Sequence, residues 1–136
     1  MLRSYWKADV HVMTVAFAIH LGVAAMSVMA KAPDPEQAVI VHFDYGNTDW
    51  SPFFLFDKQL DAAIAKSGAG EYDGNELAED GTDGYLYFYG PDADKLFAMV
   101  RTELATAPFL KNIRVTLRYG SVDDPRVREA HIRLNP

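Results

Sequence analysis

The chain has 136 residues, with 13 Lys+Arg against 19 Asp+Glu for a formal net charge of −6, no cysteine, and 49% apolar residues. A cysteine count of zero removes disulfide frameworks, cysteine-bound zinc or iron–sulfur sites and thiol catalysis, and the acidic balance argues against a generic binder of phosphate backbones. With 12% aromatic residues the chain has ample material for a packed core, which argues against intrinsic disorder.

The averages conceal two unlike parts. Residues 1–32 hold 22 apolar residues, whereas 33–136 hold 45 and carry 10 Lys+Arg against 18 Asp+Glu, a net −8. The expected organisation is therefore an apolar N-terminal segment, 1–32, followed by one domain, 33–136. Val12 to Ala30 is a run of 19 residues without formal charge. As a helix rising about 1.5 Å per residue it nearly spans a bilayer core. Arg3 and Lys7 precede it, and Ala30-Lys31-Ala32 resembles a small-residue cleavage site, as in a signal peptide or an N-terminal anchor. His20 inside the run and Asp9 in its leader weaken that reading.

A start of translation at Met29 or Met26 is the alternative, since four of the five methionines lie in the first 29 residues. A helix packed on the domain is a third. The late start, slightly favoured, implies a cytoplasmic protein. The signal-peptide or anchor reading implies export to the periplasm or a membrane contact through residues 12–30.

Within the body, Ala38–Tyr45 alternates Val39, Val41, Phe43 and Tyr45 against Ile40, His42 and Asp44, the pattern of a strand with one apolar face. Gly46 to Ser51 supplies turn residues. Ser51 is the expected N-cap and Pro52 the first residue of a helix running to about Lys66, with Phe53, Phe56, Leu60, Ala63 and Ile64 on its apolar stripe and Gly68 closing it. Glu71–Ala78 and Gly84–Tyr89 are two strands joined by a turn around Asp80-Gly81. Pro91 is expected to start a second helix, with Asp92 and Asp94 in its first turn, a stripe of Ala93, Leu96, Phe97, Val100 and Leu104, and Pro108 ending it. Ile113–Tyr119 alternates as a further strand. Val127–Leu134 alternates again, Ala130, Ile132 and Leu134 against Glu129, His131 and Arg133, as a charged edge strand.

This order predicts an α+β fold: a ferredoxin-like βαββαβ sandwich with an extra C-terminal strand, its antiparallel sheet carrying two helices on one face. The stretch Gly70 to Phe97 (GEYDGNELAEDGTDGYLYFYGPDADKLF) also resembles the core of a group of small bacterial proteins that combine a GEYDGNE-like strand, a Tyr-rich strand and a YGPDADKLF-like helix start. The resemblance implies an α+β domain and a bacterial source, favours the start at Met29, and carries no activity with it.

Assigning Leu86 and Phe88 to the helix side places Tyr85, Tyr87 and Tyr89 on the open face, with His42 and Asp44 from the first strand and Arg114, Thr116 and Arg118 from the fourth. An exposed aromatic row of this kind marks an interaction surface, and a homodimer packed through it is the leading expectation. The alternative is a small-molecule enzyme or ligand site in which His42 and Asp44 supply acid–base chemistry, and Tyr87 and Arg118 hold a small anionic ligand. No activated nucleophile accompanies them. The sheet order also resembles an RNA-recognition motif, matched at Gly84, Tyr85, Tyr87 and Phe88. Asp83, Leu86 and Gly90 depart from that motif, and with the acidic body they argue against nucleic acid.

The acidic residues Glu71, Asp73, Glu76, Glu79, Asp80 and Asp83 invite a calcium site. They fail the required spacing, because Asp73-Gly74-Asn75-Glu76 puts glycine second. Ser67-Gly68-Ala69-Gly70 follows a helix, whereas a phosphate cradle precedes one. His11, His20 and His131 lack partners at metal spacing, so neither a metal nor a cofactor is expected.

Overall fold

Val39, Val41 and Phe43 alternate with Ile40, His42 and Asp44, and in the computed structural model, which describes residues 36–134, they form β1, Gln37–Asp44, with the first three buried. The apolar run Val12–Ala30, the cleavage-like Ala30-Lys31-Ala32, the starts at Met26 and Met29, and His11 and His20 lie outside the described residues. Among the described residues no helix is long and apolar enough to cross a membrane.

α1, Ser51–Ser67, buries Phe53, Phe56, Leu60 and Ile64 at three- and four-residue steps, and Gly68 at φ 67° closes it in the left-handed conformation that glycine adopts freely. Ala63 is only partly buried. Ser51 is not the N-cap. Trp50 occupies that position without a side-chain bond, and the Asp49 carboxylate accepts the Ser51 backbone N–H at 2.9 Å. An Asp two residues before the helix folds back on the chain as an Asx turn and satisfies the first free N–H of the helix, that of Ser51.

β2, Glu71–Leu77, and β3, Asp83–Gly90, pair antiparallel, and the register shifts between Tyr72 and Gly74. The turn between them is held by Gly81 N–H to Ala78 C=O, 3.0 Å. Gly81 has φ 74°, and a Cβ there would stand 2.2 Å from the Asn47 carbonyl oxygen. Its own carbonyl accepts Gly46 and Asn47 N–H, so the hairpin tip is docked on the loop after β1.

α2, Ala93–Leu104, buries Ala93, Leu96, Val100 and Leu104, with Phe97 at the margin of the core. Asp92 is its N-cap, accepting Lys95 N–H at 3.0 Å. Pro91 therefore stands before the helix and does not begin it. The cap needs an extended backbone, φ −145° at Asp92, and an acceptor oxygen, and a proline ring supplies neither. The helix also stops at Leu104, ahead of Pro108. β4, Lys111–Arg118, and β5, Glu129–Leu134, complete the sheet.

The five strands run β2-β3-β1-β4-β5, every neighbouring pair antiparallel, with β1 central. This is the ferredoxin-like βαββαβ order with β5 added beside β4. Both helices cover the face that presents Val39, Val41, Phe43, Leu86, Phe88, Val115 and Leu117, all buried. Each such side chain contributes roughly 1.5–3 kcal/mol on burial. No large polar or charged residue is buried among the described residues. The opposite face has no covering layer within the described residues, and the candidate site lies on it.

Candidate functional site

Because side chains alternate along every strand, the pairing registers fix which residues share the open face and in what order they cross it. One row reads Glu71, Tyr89, Ala38, Arg118, Glu129 from β2 to β5. The next reads Gly74, Tyr87, Ile40, Thr116, His131, and the third Glu76, Tyr85, His42, Arg114, Arg133. At the end of β1, Asp83 and Lys111 flank Asp44. Every expected open-face residue is therefore on one surface, and Ile40 sits at its centre.

The third row and the end of β1 are joined by a chain of charged hydrogen bonds. His42 Nε2 lies 2.7 Å from Asp83 Oδ2, while Arg114 Nη2 and Nε lie 3.0 and 3.2 Å from His42 Nδ1. A guanidinium only donates, so Nδ1 is the acceptor and the ring proton is on Nε2, donated to Asp83. Arg114 Nη2 also donates to Asp44 Oδ1 at 2.7 Å, and Asn112 Nδ2 to Asp44 Oδ2 at 2.7 Å. These two bonds, Asn112 first and Arg114 second, hold the Asp44 carboxyl below its ordinary value. Tyr85 stacks flat on the His42 ring, centroids 4.2 Å apart and planes 2° from parallel.

Asn112 does not stand out in the sequence, and Asp83 stands out there only as an acidic residue beside the turn and not as a partner of His42. Asn112 is the extra residue of a bulge: His42 faces Arg114, but Asp44 faces Lys111. It adopts φ 48°, which asparagine tolerates better than other side-chain-bearing residues. A lone Asn just before an alternating strand was the available signal. β3 begins on Asp83, one residue ahead of the expected Gly84, which brings its carboxylate to His42.

The remaining expected residues do not converge on His42. Arg118 donates through Nε and Nη2 to Glu129 Oε1, 2.9 Å each, and lies four positions along β4 from Arg114, roughly 13 Å away. Tyr87, between the two rows, donates to Glu76 Oε2 at 3.0 Å, and burial together with that bond pushes its hydroxyl up to about 12. Both His42 nitrogens are engaged, so it has no free lone pair with which to accept a substrate proton in this arrangement. A depression of about 610 Å³ borders Ile40, His42, Tyr85, Arg114, His131 and Arg133. Among the described residues there is no cluster of three metal-ligating side chains, and Glu71 and Glu76 stand two rows apart on the open face, exposed like Asp73 at the bulge between them.

Comparison of the chain with protein-family models, curated proteins and solved structures finds no match.

Proposed function

We propose that this domain is an interaction module that pairs with a second copy of itself through the open sheet face. The observation that carries this reading is the band formed by Tyr85, Tyr87 and Tyr89 with Ile40 beside Tyr87 at the centre of an otherwise uncovered sheet. All four are half-buried by their neighbours, yet no layer lies over them among the described residues. Aromatic surface of that extent favours desolvation, and a self-complementary patch gives the commonest assembly, a twofold dimer. Sedimentation of the full chain tests it. Self-association that Tyr87→Asp abolishes and Leu55→Lys, on the exposed outer side of α1, leaves intact supports the reading. A wild-type chain that stays monomeric over a hundredfold concentration range overturns it.

A second reading rests on one observation, the depression between His42 and Arg133, whose rim carries Arg114, Arg133 and His131. Its chemistry suits a small anion. Isothermal titration with citrate and with inorganic phosphate tests it: binding lost in Arg133→Gln supports an anion site, and no heat with either anion removes it. Nucleic acid fits the face poorly, because Glu71, Glu76 and Asp83 flank the tyrosines on which bases would stack.

A further inference from the structure

The open face is divided by charge. Its β2 and β3 side carries Glu71, Glu76 and Asp83 around the tyrosines, and its β4 and β5 side carries Arg114, Arg118, His131 and Arg133, with Glu129 as the exception. Arg114 and Arg133 stand directly opposite each other across β4 and β5, a like-charge pairing that destabilises a sheet. Arg114 is compensated by Asp44 at 2.7 Å. Arg133 has no carboxylate partner among the described residues, and Glu71 has no cationic one.

We infer that the two copies are related by a twofold axis running parallel to β1 and passing over Ile40, so that β2 of each copy lies over β5 of the other. The inference rests on the pairing proposed above and specifies its geometry. Two sheets can pack face to face about a twofold axis either along the strands or across them. An axis across the strands lays β2 on β2, setting Glu76 over Glu71 and Arg114 over Arg118, so like charges meet at both, and Arg133 over Glu129 is the one opposite pair among these rows. An axis along the strands keeps each row over itself with its order reversed. Glu76 then meets Arg133 of the second copy, Tyr85 meets Arg114, Tyr89 meets Arg118, and Ile40 meets Ile40. Every arginine of the face gains a carboxylate or an aromatic face, both favourable partners for a guanidinium. Two oppositions are unfavourable, Glu71 over Glu129 and Asp44 over its own copy; Glu129 is already neutralised by Arg118 at 2.9 Å and Asp44 by Arg114 at 2.7 Å, while Asp83 over Lys111 adds a favourable one.

The size is adequate. Five strands about 4.8 Å apart and about 27 Å long present roughly 650 Å² per copy, or roughly 1,300 Å² in all, within the range of stable specific interfaces. Sheet twist sets the strands of such a pair about 30° from parallel, which keeps the rows in approximate opposition near the centre.

Charge exchange tests the axis. Under the strand-parallel arrangement, Glu76→Arg alone and Arg133→Glu alone each place like charges at two symmetric contacts and weaken self-association roughly tenfold or more. Mixing the two single variants restores association as a heterodimer, and the double variant E76R/R133E restores the homodimer. If Glu76→Arg instead strengthens self-association, the new arginine is facing Glu71, and the axis runs across the strands. If both single variants associate like the wild type, the strand-parallel axis is wrong even though the face still pairs. A monomeric wild type overturns the pairing itself, so the two failures are distinct. Circular dichroism of each variant confirms that the exposed edge substitutions leave the domain folded.

Discussion

At the scale of single residues, the His42 chain shows how much a strand pattern can convey. Alternation alone places His42 and Asp44 on one face, and Arg114 beside them follows from β4 pairing with β1. What the sequence does not convey is that Arg114 sits between the two and engages both, because that depends on a one-residue bulge at Asn112. Asn112→Ala removes the bond that does most to hold the Asp44 carboxyl low and is expected to raise the acid midpoint of unfolding. The sign follows from linkage. A carboxyl held below its ordinary value contributes stability in full above that value, and the contribution is lost as pH falls from there through the lowered value. The variant and the wild type should therefore converge in stability at the lowest pH, as measured by denaturant titration. Tyr87 has the opposite sense: its hydroxyl is raised to about 12, so its contribution is complete below the ordinary tyrosine value of 10.0 and is lost between there and about 12. Ultraviolet titration should show a tyrosine step near 12 that is lost in Tyr87→Phe, while Tyr72, pushed up further by burial and its bond to Asp57, ionises later still in both.

At the scale of elements, the sequence conveys most where a period is long and apolar. The stripes of α1 and α2 and the alternation of β4 and β5 all read correctly, because each element must bury one face against the same core. The ends are less legible. Asp49 and Asp92 displace Ser51 and Pro91 from their expected positions, since several neighbouring residues have capping chemistry and the loop geometry selects among them. Asp92→Ala removes the cap bond to Lys95 N–H and is expected to lower the denaturation midpoint, read by chemical denaturation. The hairpin register was illegible for a similar reason: Gly74, at φ 104°, inserts a bulge that breaks the alternation of β2. Gly84 has a harder requirement. A Cβ there would stand 2.6 Å from Phe43 Cζ and 3.0 Å from the Glu76 carbonyl oxygen. Gly84→Ala should therefore destabilise the domain by roughly 1–3 kcal/mol by overpacking, whereas Gly46→Ala, with open space around it but φ 74°, should cost roughly 1–2 kcal/mol through its left-handed backbone alone.

At the scale of the whole molecule, the fold was legible because the element order βαββαβ leaves few sheet topologies, and the ferredoxin-like one buries both helices on one face. The same topology determines what is left uncovered. Placing β1 in the centre brings the tyrosines of β3 and the arginines of β4 to either side of Ile40, a juxtaposition that no local window of sequence contains. The half-by-half division of charge across the face likewise emerges only when the strands are set in spatial order. Self-association through this surface is the central claim, and backbone amide NMR of the full chain over a concentration series tests it most directly. Concentration-dependent shifts should concentrate on β1, β3 and β4, at Ile40, Tyr85, Tyr87 and Thr116, and leave the outer side of α1 unchanged. Shifts centred instead on Phe54 and Leu55, or a spectrum independent of concentration, would contradict it.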